Sequence, residues 1–427
     1  MSTEFGHKLN PYRKLRKQRG IKGMRRTLFN THVPSTIDEG GILTVRFPDL
    51  GKDDVIIPGT SKLSFKIDLN SDNDANRTIV NNLGRAIVSK LEVKLEGQSI
   101  FTLNDSDIFL CYQDLWKTKS ERDNAVYQGI QTEAVRKIRI DAGDKGADAK
   151  DLAIGTTYDN MFCIPLDFEI LSSHMPFFQS ELKDRLSYEL TFNNYGKVIA
   201  SIDASATYSI SDIHLEFETI TSPELAAMLR TQHTGKFTVL YDRVIRHSKL
   251  SLNKSDTIWN ISLAPQAKSM KGILILFIDP ADGGASFERD TEKFYNPKIT
   301  KVSCTLDGVP NQLFASGMKP HQFFDEIRKH FADGKHRTVN SVSKELELGD
   351  VSLPDYLTTK FGLWLDMRST DDDSLHGSGR KIEGASQSIQ IEIEKKAESA
   401  GNLDAYVFYI QDAQINFQDS RMMSAVF

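Results

Sequence analysis

The 427-residue sequence has only three cysteines, Cys111, Cys163 and Cys304, an odd number spread far apart. That excludes a disulfide framework and points to free thiols in a reducing compartment. No run of about 18 uncharged apolar residues occurs, which excludes a membrane-spanning helix. Met1 to Gly6 lack the apolar stretch of a secretory signal. HExxH, GxSxG, a P-loop, a strand-linked GxGxxG and CxxC pairs are all missing, so the familiar hydrolase, nucleotide and redox signatures are absent. Neither sign of charge dominates, with 53 Lys+Arg against 58 Asp+Glu and a net of −5. Hydrophobic residues make up 39% and charged residues 26%, and the mean hydropathy is −0.36. This is an ordinary globular composition, too long for one core, so two domains are expected.

Charge is distributed unevenly. Residues 1–26 carry Lys8, Arg13, Lys14, Arg16, Lys17, Arg19, Lys22, Arg25 and Arg26 against a single acid, Glu4. The segment is therefore +8, leaving −13 for the rest of a chain whose total is −5. Its apolar residues are too few for a core, so residues 1–30 read as a basic arm that orders on a partner. Nucleic acid, an anionic membrane or an acidic neighbour would suit it. A solvated tail or a nuclear-import signal are the alternatives.

Past the arm, strand patterns dominate. Leu63, Phe65, Ile67 and Leu69 alternate with polar residues, as do Leu91, Val93 and Leu95, and again Ile389, Ile391 and Ile393. The run Gly272–Ile278 is continuously apolar, as for a strand covered on both faces. Helical patterns are few: Asp105 to Gln128, Pro320 to Phe331, and a helix from Pro223 capped by Ser222. Residues 132–160 and 366–384 read as long exposed loops.

An internal repeat organises these elements. Residues 41–69 align on 235–263 at an offset of 194, matching Gly41, Thr44, Val45, Ser61, Ile67 and Leu69. Residues 89–117 align on 300–328 at an offset of 211, matching Lys90, Leu95, Gly97 and Asp114. Residues 208–217 align on 408–417 at an offset of 200, matching Ile210, Asp212 and Phe217. The expected architecture is all-β: a tandem double jelly roll of two eight-stranded β-sandwiches with short helices in the connections. The arm spans 1–30, the first jelly roll 31–220, a linker helix 221–234 and the second jelly roll 235–427.

Candidate chemistry is sparse. Asp279, Asp282 and Glu288 do not match a calcium loop. His321, His330 and His336, with Asp325 and Glu326 between, offer no assignable third metal ligand, and ordinary surface histidines are favoured. Asp371, Asp372 and Asp373 read as a solvated run. Glycosylation sequons at Asn76, Asn253 and Asn260 are expected to be unused, and Cys163 and Cys304 to be inert core residues. No catalytic, metal or cofactor residue is assigned.

Two segments carry a resemblance. Val80-Asn81-Asn82-Leu83-Gly84-Arg85-Ala86-Ile87-Val88-Ser89-Lys90-Leu91, and Phe294 to Ile299 continuing through Asp307 to Met318, resemble the hexon-like major capsid proteins of Polinton/Maverick elements and adintovirus-type DNA viruses. The resemblance covers residues 30–420. It implies a structural subunit, not an enzyme, that forms homotrimeric pseudo-hexameric capsomers of an icosahedral double-stranded DNA virus shell. It implies no cofactor and no small-molecule substrate. Penton and other minor capsid proteins would be partners at the vertices. The arm would face genomic DNA or an inner membrane, and the protein would reside in the virion capsid after assembly inside the host cell. The alternative is a carbohydrate-active or glycan-binding double jelly-roll protein, which needs convergent carboxylates and exposed aromatics in a cleft. A single jelly-roll vertex protein with an unrelated second domain would require the repeat to fail.

Overall fold

The computed structural model describes residues 25–33, 36–70, 78–118, 121–122, 124–130, 161–166, 186–200, 207–265, 267–280, 290–306, 308–310, 316–332, 351–369, 377–382, 388–419 and 421–427. Eight strands build a first sandwich: β1 (Arg25–Val33), β2 (Ile42–Arg46), β3 (Lys62–Asn70), β4 (Val88–Leu95), β5 (Gln98–Asn104), β6 (Met161–Pro165), β7 (Leu186–Phe192) and β8 (Thr207–Thr221). Eight more build a second: β9 (Lys236–Asn253), β10 (Ile258–Leu263), β11 (Ala267–Ile278), β12 (Ile299–Leu306), β13 (Val309–Pro310), β14 (Gly362–Asp366), β15 (Ile389–Lys395) and β16 (Asn402–Gln418). In the first unit the sheets run β1-β8-β3-β6, with the short strands Ile37–Asp38 and Asp54–Ile56 also on β8, and β2-β7-β4-β5; in the second they run β9-β16-β11-β14, with Arg380–Ile382 on β11 and Arg421–Val426 on β16, and β10-β15-β12-β13. Each strand thus corresponds to the one eight places later, and every pairing within these sheets is antiparallel. Two jelly rolls of one topology follow each other in the chain.

The β8/β16 and β4/β12 repeat blocks coincide with equivalent strands. Phe29 stacks on Phe217 at 5.1 Å and 3°, and Phe237 on Phe417 at 4.7 Å and 6°, the same pair in each unit. The hairpin between β4 and β5 turns on Glu96 and Gly97, both at positive φ (46° and 83°), and Gly308 has φ 77° at the matching turn. The first block is corrected: an offset of 194 lays β2 on β9 and β3 on β10, one strand out of step. Strands of alternating pattern look alike when shifted by a whole strand, because the inward and outward positions still coincide. The register identifies the true counterparts. Leu43 faces Leu190, which faces Leu91, whereas Trp259 faces Ile393, which faces Val302.

Other expectations are also corrected. Arg25 and Arg26, read as part of the arm, open β1 and pair with Thr221 and Ile220 of β8. The helix read from Asp105 to Gln128 is α2 (Ser106–Leu115), and the described residues after it include helical residues 121–122 and a 3-10 turn at Val126–Gln128. Asp366, read as loop, ends β14 fully inside because the Arg368 guanidinium holds its carboxylate at 2.5–3.1 Å. Arg380–Ile382 is a strand on β11. The loop read at 132–160 lies outside the described residues.

The corresponding sheets of the two units differ in cover. β8 alternates buried and half-buried positions, so its outer face meets solvent. β14 and the centre of β16 are buried continuously, as is Met270–Phe277 of β11. The reason is that the first unit's α2 and the second unit's own helix Pro320–Phe331 together pack on the outer face of the β9-β16-β11-β14 sheet, so GILILFI has apolar cover on both sides. Gly272 is required there, since a Cβ would run into the Trp364 ring and the Leu365 carbonyl. One cluster of buried residues consequently runs through both sandwiches. α3 (Pro223–His233), capped by Ser222 Oγ accepting from the Leu225 amide, joins them.

Candidate functional site: the seam and the outer faces

The seam between the sandwiches begins in the sequence Asn81-Asn82-Leu83-Gly84-Arg85-Ala86. α1 (Leu83–Ala86) is one buried turn whose Gly84 lies so close to the Cys163 carbonyl that a Cβ would overlap it. Arg85 Nε donates to Asp114 Oδ2 at 3.1 Å, and Asn82 Nδ2 donates to the same oxygen at 3.1 Å. Gln128 Nε2 donates to it at 2.5 Å, and Lys117 lies 2.7 Å from Oδ1. Burial alone would raise the Asp114 carboxyl, but Arg85 and Lys117 outweigh it and hold it well below the usual carboxylate range. Removing one member would leave a buried charge exposed to its own desolvation cost.

From this network the chain reaches across to the second unit. Arg122 Nη2 donates to both oxygens of Glu292, at 3.0 and 2.9 Å, and Asn81 Nδ2 donates to Oε2 at 3.0 Å. Both ion-pair side chains are nearly sealed, at 5% and 7% exposure. Thr291 Oγ1 donates to the Asn81 carbonyl, Tyr241 OH to the Ile100 carbonyl at 2.7 Å, and Arg246 Nε lies 2.7 Å from Asp105 Oδ2.

Apolar contacts fill the rest of the seam. Phe109, Tyr112 and Trp116, on and just after α2, meet Phe408 (5.4 Å), Phe294 (4.9 Å) and Phe324 (6.2 Å) of the second unit. Phe324 and Phe331 belong to α4 (Pro320–Phe331), the helix that follows β13 as α2 follows β5. Phe331 also lies edge-on to Tyr112 at 5.8 Å. Repeated helices thus close the joint, each aromatic pair adding roughly 0.5–1.5 kcal/mol beyond its buried area. A cavity of about 290 Å³ remains at the margin, and its charges face each other: Lys197 with Asp107 at 3.4 Å, and Lys249 with Asp404 at 2.8 Å.

The sequence-predicted site residues disperse. Lys8, Arg13, Lys14, Arg16, Lys17, Arg19 and Lys22 lie outside the described residues. Arg26 Nε donates to Glu218 at 2.6 Å on the outer face. Asp279 pairs with Lys254, while Asp282, Glu288, His336 and Asp371 to Asp373 lie outside the described residues. His321 is exposed at the start of α4, whereas His330 near its end stacks on Trp364 at 3.9 Å and 8°, so they form no common site. All three cysteines are free. Burial pushes Cys163 up to about 11 and Cys304 up to about 12.

On the outside, one feature repeats. Ile42 of β2 and Ile258 of β10 occupy equivalent positions on the edge strand of each unit and are 59% and 51% exposed. Sequence reasoning missed these two, and it missed Arg122 and Glu292. The edge isoleucines read as ordinary alternation. The ion pair joins residues 170 apart with no local pattern.

Comparison with solved structures decides the architecture. The chain superposes on the PBCV-1 virus capsid protein with a TM-score of 0.62 at 10% identity, covering 95% of this chain and 98% of that one. It superposes on the Faustovirus major capsid protein with 0.56 at 8% identity, covering 98% of each. The fold is that of the viral double jelly-roll capsid proteins. The mavirus major capsid protein shares this double jelly roll at a TM-score of 0.51 and 14% identity, covering 94% of this chain and 90% of that one. No family model matches the sequence, and none of the curated proteins does. At such identities the double jelly roll is held by pattern and packing, not by shared residues.

Proposed function

We propose that this chain is a major capsid protein, the subunit of trimeric pseudo-hexameric capsomers in the icosahedral shell of a double-stranded DNA virus. The observation that carries this reading is the fusion of two sandwiches of identical strand order into one body with a continuous core. Three such bodies present six similar units around an axis, and a near-hexagonal tile can cover a closed surface. The seam makes the tile stiff, so contacts between tiles can be weak and correctable without losing shape. The equivalent edge isoleucines give each unit of the tile a similar apolar contact. The function is structural and not catalytic on this reading. Among the described residues Tyr127 is the one large aromatic ring strongly exposed, which gives no support to a glycan cleft.

The partners follow: other copies of the chain, then penton and minor capsid proteins. The site of residence is the virion, after assembly in the host cell. The basic residues Lys8 to Lys22 would face genomic DNA or an inner membrane, where +1 charges release counterions or meet anionic lipid. Size-exclusion chromatography with light scattering, followed by negative-stain microscopy, tests the reading. A stable trimer that forms hexagonal particles supports it; a monomer at all concentrations overturns it. A truncation of residues 1–22, which spares β1, is expected to leave the trimer intact and impair packaging.

A further inference from the structure

We propose that His32, Asp212 and His214 form a binding site for one Zn²⁺-type divalent cation on the solvent-facing side of the first sandwich. His32 of β1 and His214 of β8 are direct partners in the antiparallel ladder. Asp212 precedes His214 by two residues, and one of its carboxylate oxygens and one ring nitrogen of each histidine all lie within 4.8 Å of one another. A bulge produces this approach. The ladder between β8 and β3 shifts between Ser211 and His214, and Asp212 sits at φ 49°, a left-handed conformation that is uncommon for a residue with a side chain. Bulges of this kind re-aim side chains out of the regular pleat.

The hydrogen bonds prepare one histidine as a ligand. His214 Nδ1 lies 2.7 Å from Asn30 Oδ1, an acceptor, so Nδ1 carries the hydrogen. Its Nε2 lies 3.0 Å from Asp212 Oδ1. A proton on Nε2 makes that contact an ion pair with Asp212, and a divalent cation taking the proton's place would be shared by the imidazole and the carboxylate. A histidine whose second nitrogen donates to a neighbouring oxygen is the usual form of a metal-ligating imidazole. Two imidazoles and one carboxylate suit zinc, with a fourth position left to water. Calcium and magnesium take all-oxygen shells and should not compete. The side chains of Asp212 and His214 are 56% and 25% exposed, so the ion can enter from solvent.

The second sandwich offers a comparison. There the matching positions are Asp412, Gln414 and Leu240, with Leu240 again opposite Gln414. Lys271 already holds Asp412 at 3.2 Å. Among the described residues the site therefore belongs to the first sandwich alone.

Full-length protein stripped of metal with EDTA and dialysed is titrated with Zn²⁺ by calorimetry, and with Co²⁺ as a visible-light probe. One ion per chain is expected. His32→Ala and His214→Ala should each abolish stoichiometric binding. Asn30→Ala, which removes no ligand, should weaken it roughly 10–100-fold. Asp212→Asn tolerates the left-handed bulge and so reports ligand loss without a change of fold. His321→Ala should bind as the unaltered protein does. The proposal fails if the unaltered protein takes up no Zn²⁺, or if the His32 and His214 variants bind it equally well.

Discussion

His330 should make this protein acid-sensitive well above the pH at which its carboxylates fail. Its ring lies flat on Trp364 and edge-on to Phe331 at 4.7 Å, and its Nδ1 is enclosed without a hydrogen-bond partner. Burial, then the nearby cations Arg368 and Lys271, push its pKa from the ordinary 6.5 down to about 3. Above pH 6.5 the ring is neutral whether the chain is folded or not, so it contributes nothing. Below that, the unfolded chain takes up a proton that the folded one refuses, and stability falls by up to about 1.4 kcal/mol per pH unit. At pH 5 the loss is about 2 kcal/mol, and this holds for any folded value well under 5. His330→Phe keeps a ring on Trp364 and removes the titration. Urea midpoints followed by tryptophan fluorescence at pH 7 and pH 5 measure the difference. The unaltered protein should lose about 2 kcal/mol more than the variant over that interval. Half-buried His247, also held down by burial, acts equally in both and cancels. Asp114, held low, loses its contribution only as pH falls through the carboxylate range. Parallel loss in both proteins would refute the reasoning and mean that the folded state already accepts the proton.

Glu292→Ala removes the buried carboxylate to which Arg122 and Asn81 both donate and should cost about 3–5 kcal/mol, read as a lower urea midpoint; replacing Arg122 and Glu292 together by apolar residues should recover much of it. Phe109→Ala removes the ring that meets Phe408 and Phe331 and should cost about 3–5 kcal/mol in the same assay. Ile42→Lys with Ile258→Lys should change stability by about 0.5 kcal/mol or less, yet reduce particle yield in microscopy. Cys111 and Cys304 should resist a thiol reagent at pH 8 in the folded protein and react on unfolding, because burial keeps their thiolates scarce.

Much of the architecture was legible because strands with one wet face must alternate. Leu63–Leu69 and Ile389–Ile393 did so, and GILILFI declared a doubly covered strand before its cover was known. The Glu96-Gly97 turn anchored the second repeat block, since Gly97 and its counterpart Gly308 share the positive φ that a glycine takes most easily. What failed was phase. Residues 41–69 were set one strand early because alternation carries no label saying which strand it belongs to. The arm was drawn too long because Arg25 and Arg26 are charged and their strand, β1, is half exposed. The seam was mostly hidden: Arg122 and Glu292 gain their meaning only when residues 170 apart meet. Asn81 and Arg85 stood in a segment already singled out, but their partners could not be read from spacing. The His32–His214 pair was invisible for the same reason, being a product of register.

The one-sided cover of the second sandwich has a consequence for biosynthesis. A ribosome delivers residues 25–221 before the apolar back of β11, β14 and β16 emerges, so the earlier half can be waiting, already shaped, as the scaffold on which the later half closes. Expressed by itself, that later half would carry an oily sheet into solution and clump; swapping the order of the halves with a permuted gene should have the same effect on nascent chains.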